Sequence, residues 1–302
     1  MTRATQAAAR PDAVLVGLIG EGISRSLTPP MHELEGARHG RPYVYRTIDL
    51  APGEADDLPA LLAGARRLGF TGLNITHPVK QAVIPLLDDL TPGARAVGAV
   101  NTVLFTDAGA VGHNTDVTGF AAALDDAFGD GPLGRVVLFG AGGAGSAVAT
   151  ALAHRGAAEL VVVDLDEERA AALAAQLEGA GSGAVRAGSV DELGALLEGA
   201  DLVVNATPVG MAAHPGTPFD PELLPAGILV ADIVYRPVRT ALLERAEARG
   251  LRTMSGLGMA MHQAADAFEI FTGERADRAA MLADLHDLVA AEATSTPAAP
   301  GT

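Results

Sequence analysis

Apolar runs alternate with amphipathic stretches along most of the chain. Residues 13–19 and 43–48 are short apolar or alternating runs that predict two strands, with a helix-like stretch between them. Leu58, Leu61, Leu62, Ala65 and Leu68 recur at helical spacing, Gly69 stops that helix, and residues 72–75 predict another strand. Residues 99–105 and the segment after Gly109 read as a hairpin-type pair leading into Asn114-Thr115-Asp116. This series predicts an N-terminal α/β domain over residues 13–119. A second series follows at residues 135–139, 160–163, 201–204 and 228–234, where four apolar strands separated by Ala/Leu-rich helices predict a parallel sheet covered on both faces. That is a doubly wound Rossmann domain over residues 120–255. Residues 264–291 have a helical pattern, and the segment 256–291 is expected to return to the first domain. Residues 1–12 and 292–302 are expected to be disordered tails.

Composition narrows the function classes. The 302 residues suffice for two domains, and no apolar run approaches the roughly 20 residues of a membrane span. Residues 1–12 lack the pattern of a secretory leader, so export is not expected. With no cysteine, disulfides and thiolate chemistry are excluded and a cytoplasmic location is the simplest expectation. A net charge of −16 repels phosphate backbones and anionic membranes, so neither nucleic acid nor membrane is an expected partner. An acidic substrate would have to be held by local donors. Monomer and homodimer both stay open.

The sharpest local feature is Gly140-Ala141-Gly142-Gly143-Ala144-Gly145. It follows a predicted strand and opens an Ala-rich helix, the context in which such a loop lets the backbone approach a pyrophosphate at a helix N-terminus. Asp164 ends the next strand, 19 residues after Gly145, where a carboxylate accepts bonds from the adenosine ribose and meets a 2′-phosphate with like charge. This favours NAD over NADP. Arg169 is the one nearby cation able to answer a phosphate, unless it pairs with Asp166 or Glu167. His32, His77, His113 and His262 show no metal-ligand spacing, so no metal is expected and the histidines read as satisfied polar residues.

Short polar clusters stand where the first domain's strands end: Ser24-Arg25-Ser26-Leu27-Thr28-Pro29, Asn74-Ile75-Thr76-His77-Pro78-Val79-Lys80, Gly98-Ala99-Val100-Asn101-Thr102 and Asn114-Thr115-Asp116. With Asn205-Ala206-Thr207-Pro208-Val209-Gly210-Met211, Asp232-Ile233-Val234-Tyr235-Arg236-Pro237 and Gly256-Leu257-Gly258-Met259-Ala260-Met261-His262-Gln263, they resemble the shikimate dehydrogenase family in order and wording across about residues 14–275. The resemblance implies that Lys80 is the catalytic lysine and Asp116 its partner. It implies that Ser26 and Thr28 hold the substrate carboxylate and that Thr76, Asn101, Tyr235 and Gln263 contact its hydroxyls or carboxylate end. It places Gly140, Ala141, Gly142, Gly143, Ala144, Asp164, Arg169, Thr207 and Gly256 at the cofactor. The chemistry suits these types, because oxidising a ring hydroxyl needs a base for the oxygen-bound proton. Desolvation favours a neutral amine and an adjacent carboxylate favours the ammonium; both stay open at this point. Taken alone, Asp116 also reads as the N-cap of a helix from about Thr118.

Two departures sharpen the reading. Ser26-Leu27-Thr28-Pro29 stands where the family usually has Ser-x-Ser-Pro, and Asp164-Leu165 where it usually has an Asn-Arg pair. Both resemble the NAD-dependent quinate/shikimate dehydrogenases of actinobacteria, which implies a small cyclic hydroxy acid, quinate or shikimate, as substrate. A single methyl at Thr28 is worth about 1–3 kcal/mol of discrimination, so mixed activity is expected. The competing readings are an NADP-dependent shikimate dehydrogenase, an aminoshikimate or aminoquinate dehydrogenase, and a non-catalytic dinucleotide sensor.

Overall fold

The computed structural model describes residues 13–179 and 183–295; the expected tails over residues 1–12 and 296–302 lie outside the described residues. The chain forms two compact units. The first holds residues up to Thr91, Val100–His113 and residues from Ala264 onward; the second holds Pro92–Ala99 and Asn114–Gln263.

In the first unit, β1 (Val14–Glu21), α1 (Thr28–Arg38), β2 (Tyr43–Leu50), α2 (Leu58–Arg67) and β3 (Gly72–Ile75) build a parallel core in which β1 pairs with both β2 and β3. Then come β4 (Asp89–Leu90), α3 (Pro92–Val97), β5 (Thr102–Thr106) and β6 (Gly109–His113). β5 runs antiparallel to β3 and β6, so the sheet is mixed, in the order β2-β1-β3-β5-β6-β4. Pro29 and Pro30 sit in the first turn of α1, where an amide hydrogen would have no intrahelical acceptor. β2 is an edge strand with Tyr43 and Tyr45 buried and Val44 and Arg46 exposed, and the Tyr45 N–H donates to Glu33 Oε1 at 3.0 Å.

α3 belongs to the second unit although it interrupts the first in sequence. Gln176 Nε2 donates to the carbonyls of Ala96 (2.8 Å) and Val97 (3.2 Å), and Val97 and Ala99 pack on Ala147. The crossings therefore fall at 91/92, 99/100, 113/114 and 263/264, where the expected boundaries were 119 and 255.

The second unit continues with α4 (Asp116–Phe128), β7 (Arg135–Phe139), α5 (Gly143–His154), β8 (Glu159–Val163), α6 (Glu167–Gln176), β9 (Ala184–Gly188), α7 (Leu193–Leu197), β10 (Leu202–Asn205), β11 (Leu229–Asp232), α8 (Ala241–Ala248) and β12 (Thr253–Met254). Its sheet is parallel in the order β12-β11-β10-β7-β8-β9, six strands where four apolar runs were expected. Strand alternation sends Val136, Leu138, Leu160, Val162 and Val204 into one core layer and Val137, Phe139, Val161, Val163 and Val203 into the other. A doubly wound parallel sheet places its ligands at the carboxyl ends of these strands.

The closing helical stretch is two helices, α9 (Gly256–Thr272) and α10 (Arg278–Ser295), separated at Gly273, whose φ of +70 is a left-handed turn. α10 runs through residues 292–295, which corrects the expectation that a disordered tail begins at 292. It returns to the first unit and packs on α1, where Glu35 Oε1 accepts the Asp277 N–H at 2.7 Å and Arg38 binds Asp284. No helix among the described residues is long and apolar enough to cross a membrane.

His32 is wholly buried on α1 among the rings of Tyr43, Tyr45, Phe268 and Phe271, at centroid distances of 5.8, 5.0, 6.2 and 6.3 Å. Its Nδ1 meets the Tyr43 hydroxyl at 3.0 Å, while Nε2 has no hydrogen-bond partner. Burial alone pushes its pKa down to about 3.

Candidate active site

The glycine loop is built from three different requirements. Gly140 has φ +100, and an added Cβ would lie 2.8 Å from the Ala206 carbonyl group; a Cβ on Gly145 would lie 1.9 Å from Gly140 O. These two glycines close the turn between β7 and α5. Gly142 is exposed and a Cβ there would meet nothing within 4 Å. Open space at Gly142, together with the first-turn N–H groups of α5 that lack intrahelical acceptors, makes a cradle suited to a pyrophosphate. The residues therefore fit a dinucleotide.

Asp164, just past β8, is half-buried against this loop. Its Oδ2 accepts the Ala141 N–H at 2.7 Å and its Oδ1 the Asp166 N–H at 3.0 Å. Arg169 is exposed and paired with Asp166 at 3.6 Å, a surface contact of little energetic weight. Thr207 donates its hydroxyl to Asn205 Oδ1 at 2.7 Å and accepts the Val209 N–H at 3.2 Å. Gly256 is a close-packing glycine: a Cβ there would lie 2.1 Å from Ile233 O.

In the first unit lie the residues expected at the substrate, Ser26, Thr28, Thr76, Lys80 and Asn101, on the segments that follow β1 and β3 and precede β5. Asp49 accepts the N–H groups of Ile23 (3.3 Å) and Ser24 (3.0 Å) and so pins the loop that carries Ser26, whose Oγ accepts the Thr28 N–H at 3.3 Å. The Glu21 N–H donates to His77 O at 2.9 Å, and a Cβ on Gly20 would lie 2.3 Å from Thr76 Cγ2, which ties this loop to the turn after β3. Within that turn the Val79 N–H donates to Thr76 O (3.0 Å), and the half-buried Lys80 accepts the Val100 N–H (2.9 Å) beside Asn101. Asn101 is held by a buried chain: Tyr45 Oη donates to Asn74 Oδ1 (2.6 Å), Asn74 Nδ2 to Thr102 Oγ1 (2.9 Å), and Thr102 Oγ1 to Asn101 Oδ1 (3.0 Å). Asp49, Tyr45 and Asn74 were not singled out from sequence as supports, because their partners lie 25 to 29 residues away.

The second unit carries Asp116, Tyr235 and Gln263. Thr115 is the N-cap residue and Asp116 the first residue of the helix, and the side chain that serves its first amides is Asn114, whose Oδ1 accepts the N–H groups of Asp116 (3.0 Å) and Val117 (3.3 Å). This corrects the expectation of Asp116 as an N-cap; the side chain two residues earlier already serves those amides. Thr115 donates its hydroxyl to Gln263 O at 3.0 Å, bringing the start of α4 to Gln263 on α9. Gly119 permits this approach, since a Cβ there would lie 2.9 Å from the Gln263 backbone nitrogen. Gly119→Ala is expected to cost about 1–3 kcal/mol of stability by forcing α4 off α9. A denaturant midpoint equal to wild type would refute that close packing.

The histidines are less fully satisfied than expected. His262 Nε2 meets Asp126 Oδ2 at 2.8 Å, but His262 Nδ1, His113 Nε2 and His32 Nε2 are buried without a hydrogen-bond partner. Burial pulls the His113 pKa down, and His77 is exposed. Among the described residues no three His, Asp or Glu side chains gather as a metal would require.

Comparison with known proteins gives the same organisation. The shikimate dehydrogenase substrate binding domain matches residues 18–103, the saccharopine dehydrogenase NADP binding domain residues 136–212, and the shikimate 5′-dehydrogenase C-terminal domain residues 256–285. A shikimate dehydrogenase (NADP(+)) of Streptomyces avermitilis is 55% identical over 92% of this chain and 96% of its own. A quinate/shikimate dehydrogenase (NAD(+)) of Corynebacterium efficiens is 50% identical over 88% and 95%. The structure of quinate dehydrogenase from Corynebacterium glutamicum in complex with NAD superposes with a TM-score of 0.86 at 47% identity, covering 92% of this chain and all (100%) of that one. Matched at the segments that carry the Lys80 turn and the Gln263 helix, and across nearly its whole length, the chain belongs to the shikimate dehydrogenase family.

Proposed function

We propose that this protein is an NAD-dependent quinate/shikimate dehydrogenase, which reversibly oxidises quinate to 3-dehydroquinate and shikimate to 3-dehydroshikimate. The observation that carries the cofactor choice is Asp164: its carboxylate lies against the glycine loop at 2.7 Å from the Ala141 nitrogen, a position that suits ribose hydroxyls and opposes a 2′-phosphate by charge.

The bound dinucleotide supplies the hydride acceptor. Lys80 Nζ takes the hydroxyl proton during oxidation and returns it during reduction, and the family resemblance gives Asp116 the part of its proton-sharing partner. Ser26 and Thr28 hold the carboxylate through hydroxyl donors, local contacts that do not depend on a basic field in a chain of net charge −16. Thr76, Asn101, Tyr235 and Gln263 read the ring hydroxyls.

One observation favours a second reading, an NADP-dependent shikimate dehydrogenase: the 55% identical Streptomyces relative carries that name. Steady-state kinetics over quinate or shikimate with NAD or NADP decides between them. With NAD, kcat/KM is expected to exceed the NADP value at least tenfold for both acids, and Asp164→Ala to raise KM for NAD more than KM for quinate. The reverse cofactor order, or an unchanged KM for NAD in the variant, rejects the Asp164 assignment.

A further inference from the structure

Three fully buried polar side chains that the reaction does not use meet at the carboxyl ends of β10 and β11: Asn205, Asp232 and Thr240. Asn205 and Asp232 are partners in the strand register. Asp232 Oδ1 accepts Asn205 Nδ2 and the Val234 N–H, both at 3.0 Å, and Oδ2 accepts the Thr240 hydroxyl at 2.7 Å. Asn205 in turn spends its whole amide on the next loop. Its Nδ2 also donates to Val209 O at 3.0 Å, and its Oδ1 accepts the Thr207 N–H (3.0 Å) and hydroxyl (2.7 Å).

A carboxylate with no basic side chain among these bonded partners is costly to bury. Burial pushes its carboxyl above the ordinary range, against the opposing effect of the three donors. What the charge provides is direction. An ionised carboxylate only accepts, so it draws the NH2 of Asn205 toward Asp232, in the same sense as the Val209 carbonyl, and leaves the oxygen to the Thr207 N–H. An amide in place of Asp232 can turn either a donor or an acceptor toward Asn205, so the carboxylate's share in that orientation is lost and only the Thr207 N–H and the Val209 carbonyl still hold it. The loop so oriented begins at Ala206, whose carbonyl group is the neighbour that forbids a Cβ on Gly140 of the dinucleotide cradle.

We propose that Asp232 is a positioning residue for dinucleotide binding, acting through the orientation of Asn205 on the Ala206–Gly210 loop beside the glycine turn. The inference rests on dinucleotide binding alone and not on the choice between NAD and NADP.

The test uses Asp232→Asn and Asn205→Ala in the full chain, with NADH and NADPH each titrated by their own fluorescence, thermal unfolding, and steady-state KM values. In Asp232→Asn, the Kd for the dinucleotide that wild type binds better is expected to rise about tenfold with its KM, while KM for the hydroxy acid changes less than threefold. Asn205→Ala is expected to match that rise, and the double variant to add nothing further, because both act through one amide. A Kd unchanged in both variants, even with a lowered Tm, means a merely structural network and overturns the proposal; so does an additive double variant. If Asp232→Asn does not fold, an unchanged Kd in Asn205→Ala alone overturns it. Tighter wild-type binding of NADPH would reject the NAD reading and leave this comparison intact.

Discussion

Replacing Lys80 with alanine is expected to lower turnover by about 10²–10⁴-fold, the range over which a positioned acid or base acts, while the hydroxy acid still binds. The backbone of the turn does not depend on the side chain. The Val79 N–H to Thr76 O bond and the Val100 N–H to Lys80 O bond are main-chain contacts that alanine preserves. Asn101 keeps its own support through Asn74 and Thr102. The loss should therefore appear in kcat, measured with saturating NAD and quinate, with KM for quinate moving only a few-fold. Turnover above a third of wild type would remove Lys80 from the proton-transfer role. A large rise in KM at unchanged kcat would make it a binding residue instead.

The second large effect concerns stability in acid and arises from His32. Its folded pKa of about 3 lies below the ordinary 6.5. Below pH 6.5 the unfolded chain takes up a proton that the folded chain refuses. Stability attributable to this group is thus complete above pH 6.5 and falls continuously until about pH 3. The gap between those values corresponds to about 5 kcal/mol at the acid end, a large share of the stability of an ordinary domain. Urea unfolding at intervals from pH 7 to 4 checks this, with His32→Asn as the comparison. Asparagine keeps a polar atom near Tyr43 and does not titrate. The wild-type advantage should shrink as pH falls; two curves that stay parallel across the interval would refute the assignment of acid sensitivity to His32.

What could be read from sequence follows from how local each signal is. β7, β8, β10 and β11 announce themselves as apolar runs because both faces of a parallel sheet are covered. β9 does not, since Ala184-Val185-Arg186-Ala187-Gly188 is an edge strand with partly exposed side chains. β12 has only two residues and no pattern to detect. The break between α9 and α10 hides inside an apolar helical rhythm and rests on Gly273 alone. In the site, the glycine loop was legible because its glycines, though each answers a different backbone demand, stand within six consecutive residues. The supports were not. Asp232 reaches Asn205 only because two parallel strands bring residues 27 apart into register. Asp116 read as a cap because residue type alone does not reveal that Asn114 already holds those amides.

The edge strand β2 has a consequence for the protein in crowded solution. An eight-residue edge with outward-facing amides is a template on which another chain can add a strand. Glu33 occupies one of those amides from α1 and leaves a carboxylate on the rim, so any incoming strand must displace a bonded acceptor and bury its charge. The residue that ties α1 to the edge of the first unit's sheet thus also sets a charged acceptor on that edge, the kind of group that makes strand addition there costly.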